Sequence, residues 1–206
     1  MQEESSILEL KDRLSLIESM IAEGRRTTEK FSWLFVLWGV AYYVAILWST
    51  GAFTGPVWGS SYLAWPVTMI AASVLTWMLI ERNGRKQPST TSSRAIFSIW
   101  VSMGTSMFVL MLSLGLSGRG DQQTDVALIA TMLGTTNAAS GLFLKWKQQF
   151  ACAVVWWAAA VASLFGTVTQ STIAFLVAIF LCQIVFGIYG MICEARIRKV
   201  RSATHA

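Results

Sequence analysis

Histidine, cysteine and proline are scarce in this chain, and charge is kept to its edges. One histidine, His205, occurs in 206 residues. It stands beside the last residue, so a histidine-held metal or haem within the fold is excluded, and no metal site and no cofactor is expected. The three cysteines, Cys152, Cys182 and Cys193, each fall in an apolar run. Their spacing forms neither a CxxC metal pair nor a disulfide framework, and they read as reduced packing residues. Of the three prolines, Pro66 alone interrupts an apolar run, and its place in the expected first helical turn costs no backbone hydrogen bond.

Charged residues make up 13% of the chain and hydrophobic ones 54%, a balance foreign to soluble domains and normal for membrane proteins. None of the apolar runs carries an interior Asp, Glu, Lys, Arg or His. Intramembrane ion and proton relays are built from such groups, so their absence argues against a proton-coupled carrier. The first-span carboxylate of small multidrug exporters has no counterpart here. A general base and a histidine-activated nucleophile are missing too, and no enzyme activity is expected. The formal charge of +5 belongs to lipid headgroups rather than to nucleic acid, which is not an expected partner.

What remains is apolar length. Residues 31–50, 62–80, 95–116, 126–144, 150–166 and 172–193 are each long enough, or nearly so, to cross a bilayer at 1.5 Å per residue. The expected fold is an all-α, polytopic membrane bundle of six transmembrane helices in three hairpins. An N-terminal cytoplasmic amphipathic helix over residues 1–30 precedes the bundle at 31–193, and a basic tail follows at 194–206. Glycine-rich turns at 51–61 and 117–125 and a short turn at 167–171 lie on one side. Fifteen of the sixteen Lys and Arg residues lie on the other, Arg119 being the exception. The positive-inside rule then puts both termini in the cytoplasm, in a multi-pass protein suited to a bacterial inner membrane. The acidic start, MQEESSILEL, lacks the basic and apolar regions of a signal peptide, so span one reads as an uncleaved anchor.

Residues 3–30 repeat apolar side chains at Ile7, Leu10, Leu14, Ile17 and Ile21, the three-and-four spacing of a heptad seam. With Ile7, Leu14 and Ile21 at a positions, Arg13 falls at g and Glu18 at the next e, a charge pair that joins two parallel copies. Two alternatives stay open for this helix: self-association as a coiled coil, or packing on the cytoplasmic face of its own bundle or in the headgroups.

The span at 126–144 is the most polar. Asn137, Thr131, Thr135 and Ser140 stand among Ala130, Gly134 and Ala138, with Ser102, Thr105 and Ser106 of span three and Gln183 of span six as possible facing groups. Such a stripe serves either as a pathway for a neutral solute or as hydrogen-bonded glue between closely packed helices. Ala158, Ala162 and Gly166 form a second small-residue ridge. Trp38, Tyr42, Trp156 and Trp157 form an aromatic set able to hold a soft cation, or simply to fill the bundle or face lipid. Arg119-Gly120-Asp121 spells an adhesion tripeptide, but in a polar turn a three-residue match carries little weight. The leading expectation is an integral membrane interaction or regulatory protein working through its N-terminal helix, by self-association or by binding a cytoplasmic protein; the alternative is a small permease for a neutral or weakly cationic solute.

Overall fold

The structure, a computed structural model, describes residues 2–50, 61–84 and 91–204. Residues 51–60 of the expected turn at 51–61, the basic residues Arg85 and Lys86 and the histidine at 205 lie outside the described residues. Helix follows helix: α1 (Gln2–Lys30), α2 (Trp33–Ser49), α3 (Ser61–Gly84), α4 (Thr91–Ser117), α5 (Gln122–Phe143), α6 (Lys147–Phe165), α7 (Val168–Ile179), a π turn (Phe180–Val185) and α8 (Phe186–Thr204). No strand occurs among the described residues, and the fold is an all-α bundle.

Five stretches are long and apolar enough to cross a membrane: Ala64–Arg82, Thr91–Ser117, Gln122–Phe143, Lys147–Phe165 and Val168–Ile197. A sixth arises where the later part of α1 continues into α2 across a 44° bend. The bend has a local cause. Phe31 and Ser32 donate their N–H groups to Thr28 and Glu29, three residues back, so the helix tightens by one residue and turns. The chain is a multi-pass membrane protein by this measure.

Several boundaries move from their expected places. The third span begins at Thr91, four residues before the expected start at 95. Helix α5 begins a turn before the expected start at 126 because Asp121 caps it; its carboxylate accepts from the Thr124 N–H at 3.2 Å and hydroxyl at 3.1 Å. The aspartate of the Arg119-Gly120-Asp121 tripeptide is thereby engaged. Thr167 and Gln170 form a reciprocal capping box that starts α7 at Val168. The basic tail is no separate segment, since α8 runs unbroken through it to Thr204. Pro66 stands six residues into α3, inside the helix.

Helices α5 and α6 form the centre. Their hairpin closes over Leu144, Lys145 and Trp146, with Trp146 donating to the Gly141 carbonyl at 2.8 Å and Lys145 to that of Leu142 at 3.2 Å. This is the Schellman pattern, and Lys145 takes its left-handed position at φ 49°. At the far end the Gln123 amide donates to the carbonyls of Gly166 at 2.6 Å and Ser163 at 3.2 Å, capping the end of α6. Three glycines let the start of α2 lie close to the π turn and α8: Gly39 of α2 faces Gln183 and Ile184 of the π turn, Gly187 of α8 faces Val36, and Gly190 faces Ser32, the residue before α2. Helices α3 and α4 are peripheral: on α4 only Ser92 and Ile96 are buried, while Trp100, Met103, Met107 and Met111 lean on the core.

Candidate functional site

Helix α1 divides in two. Ile7, Leu10, Leu14 and Ile17 are 53%, 61%, 54% and 53% exposed, so the apolar stripe that should be buried somewhere is open along the first half of the helix. Leu16 and Met20 widen it. Arg13 is held by Glu9 one turn earlier, at 2.6 Å, an exposed pair of small energetic weight. Glu18 is exposed.

From Gly24 onward the same face is docked. Gly24 follows Ile17 by seven residues and Ile21 by three, so it continues the stripe; a Cβ there would touch Ser92 of α4 and Leu144 of the hairpin turn. Arg25 places its guanidinium 5.5 Å from the centre of the Trp146 ring and bonds Glu29 at 3.2 Å. Glu29 and Ser32 are buried. A cation over an indole contributes roughly 0.5 to 2 kcal/mol, and the arrangement ties the base of α1 to the α5–α6 turn. Behind Trp146 the rings of Phe186, Phe35 and Trp100 follow at 5.1, 5.1 and 5.3 Å from centre to centre. The notched residues, Gly24, Arg25, Glu29 and Trp146, were not picked out from sequence; their signal was the glycine falling on the seam and the charge of Glu29 falling beside it.

The polar stripe is split between the interior and the lipid side. Thr131 and Thr135 point outward and return their hydroxyls to the carbonyls of Ala127 and Thr131 at 2.7 and 2.9 Å. Ser102, Thr105 and Ser106 of α4 are exposed as well, so they do not face Asn137. Asn137, Ser140 and Gln183 are buried. Asn137 donates to the Leu133 carbonyl at 2.9 Å. Its Oδ1, the Ser140 hydroxyl and Gln183 Oε1 have no partner among the described residues. Gln149 joins them: it is wholly buried near the start of α6, with neither end of its amide engaged. Gln149 stands just before the expected fifth span at 150–166, yet it opens the buried stripe Gln149, Cys152, Trp156, Ala159 and Ser163 at helical spacing. The expected ridge of Ala158 and Ala162 lies on the exposed side of that helix.

The aromatic set is also rearranged. Tyr42 and Trp156 both pack on Phe175, at 6.3 and 5.8 Å, and Trp38 and Trp65 join through Tyr42 at 6.4 and 6.2 Å. Trp157 is on the outside of α6, against Phe150 and Gly134. Phe175 takes the central place that the sequence reading left empty, and the rings fill one another's faces.

The comparisons with known proteins do not add to this geometry. No protein-family model, no curated protein and no solved structure matches the chain.

Proposed function

We propose that this chain is an integral membrane interaction or regulatory protein of a bacterial cytoplasmic membrane, with both termini in the cytoplasm and α1 as its contact element. The reading rests on one observation: the apolar stripe of α1 is open from Ile7 to Ile17 while its continuation at Gly24 is anchored to the bundle. An open stripe of that length on an anchored helix is a surface for another helix, either a second copy or a cytoplasmic partner. Tethering in a membrane raises the local concentration of α1, which offsets the marginal stability of so short a coil. The charge asymmetry of fifteen against one supports the orientation.

Replacing Leu14 and Ile17 together by glutamate tests the reading. The expected result is loss of oligomeric mass in native detergent, or loss of a co-purifying partner, with the bundle still helical. Retention of both mass and partners would rule the reading out.

A second reading, a permease for a neutral or weakly cationic solute, draws on the unengaged amides of Asn137, Gln149 and Gln183 inside the bundle. Under it, proteoliposomes carrying the protein admit glycerol or urea faster than empty liposomes, and Gln149→Leu cuts that flux at least tenfold. Flux at the empty-liposome rate sinks it.

A further inference from the structure

A lipid surface, a different protein and the same helix of a second copy are the candidates to cover the open stripe of α1. The bundle itself leaves the stripe exposed. Lipid is poorly placed to reach it. Helix α1 meets α2 at a bend of only 44°, so α1 rises away from the span instead of lying across its end. On an upright span the stripe from Ile17 to Ile7 stands roughly 14 to 25 Å beyond Lys30, past a headgroup layer about 5 to 8 Å deep. Residues 2–20 also carry five acids, Glu3, Glu4, Glu9, Asp12 and Glu18, against the two bases Lys11 and Arg13. An anionic bilayer surface repels such an excess.

The edges of the stripe are complementary to themselves. With Ile7, Leu14 and Ile21 at a and Leu10 and Ile17 at d, a parallel pair sets each g residue of one copy against the e residue five places further on in the other. The g positions are Ser6, Arg13 and Met20, and the e positions opposite them are Lys11, Glu18 and Arg25. That register contains one pair of opposite charges and no pair of like charges. Arg13 and Glu18 are both exposed. Residues five apart point about 140° apart around one helix, so these two do not pair within a chain. Glu9 holds Arg13 at 2.6 Å, and the guanidinium has donors left for a second carboxylate. At the next d position Gly24 is buried against Ser92 and Leu144, and Arg25 lies over Trp146, so the free seam ends where α1 joins the bundle.

We propose that the occupant of the stripe is α1 of a second copy, wound parallel and in register from Ile7 to Ile21, with Arg13 of each copy bonded to Glu18 of the other. This rests on the reading of α1 as the contact element and names its partner. Two copies in one membrane present α1 in the same direction, which selects the parallel pairing and raises the local concentration of each helix for the other.

The test uses the full-length protein carrying Cys193→Ser, which leaves only the buried Cys152 and Cys182. In proteoliposomes treated with copper phenanthroline, Leu14→Cys, at a, should form a disulfide-linked dimer at least fivefold faster than Asp12→Cys, at the outward f position. In detergent, Arg13→Glu and Glu18→Arg should each raise the dimer dissociation constant roughly tenfold, since two attractions become two repulsions. The double reversal should return it to within about threefold of the wild type, a rescue that requires two copies in this register. Equal cross-linking at 12 and 14, or a double reversal as weak as the single ones, would overturn the second copy as occupant. If Leu14 and Ile17 replaced together by glutamate then still strip a co-purifying protein, α1 is a contact element for a different partner; if they strip nothing, that reading falls as well.

Discussion

Lys145 is the only non-glycine residue with positive φ among those described, and it takes that conformation at the turn between α5 and α6. The Schellman bonds on either side of it fix the backbone whatever the side chain. A left-handed conformation costs an L-residue about 1 to 2 kcal/mol, and glycine avoids that strain but loses up to about 1 kcal/mol through its freer unfolded chain. The lysine also places a cation at the end of α5, where the helix dipole favours it. Lys145→Gly is therefore expected to unfold within about 0.5 kcal/mol of the wild type, and Lys145→Val, with a branched Cβ in a region it rarely enters, to lose about 1 to 2 kcal/mol. Reversible unfolding in mixed SDS micelles measures both, and a valine variant as stable as the wild type would mean that the turn is not held as described. Asp121 offers a second reading at this scale. Its carboxylate caps α5, so Asp121→Ala should lower stability by about 1 kcal/mol in the same assay, and an unchanged midpoint would show the cap to be idle.

Between elements, the most extensive packing is that of α5 on α6, and two glycines permit it in different ways. A Cβ at Gly134 would lie 2.5 Å from Cδ1 of the Trp157 ring, a side chain on the lipid-facing side that has room to rotate. A Cβ at Gly141 would lie 2.8 Å from the backbone nitrogen of Phe150, and backbone cannot step aside without parting the helices. Gly141→Ala should thus cost about 2 to 3 kcal/mol and Gly134→Ala less than about 1, in the overpacking range. Equal losses in a detergent unfolding series would contradict the distinction. The helical elements themselves were legible in sequence because apolar length and uncharged interiors leave one solution in a bilayer. Their ends were less so: Asp121, Thr91 and the run of α8 into the basic tail depend on caps and on contacts with other helices. Which face of each span turns inward was least legible, since apolar residues suit lipid and core alike. Thr131 and Ala158 were expected at helix contacts and face out; Gln149 lies outside the expected spans and faces in.

For the whole molecule, the division of α1 between Ile21 and Gly24 separates what the bundle needs from what it presents. The apolar stripe was readable from its spacing; its anchoring was not, because Gly24, Arg25 and Glu29 gain meaning only from Ser92, Leu144 and Trp146, which arrive from distant parts of the chain. Ile7 and the side chains from Glu9 to Met20 are exposed, so they add little to the packing of the bundle. Removing residues 2–20 should leave the thermal midpoint of dilute, monomeric protein within about 2 °C of the wild type, while Gly24→Leu should lower it by roughly 3 °C or more, since the larger side chain pushes α1 away from α4 and the hairpin turn. The same deletion should abolish any dependence of the midpoint on protein concentration, because mass action stabilises only a form that associates. A concentration dependence that survives the deletion would move the contact between copies from α1 to the membrane faces of the spans, and a bundle that melts early without residues 2–20 would mean that the open stripe is covered by the chain's own helices in solution.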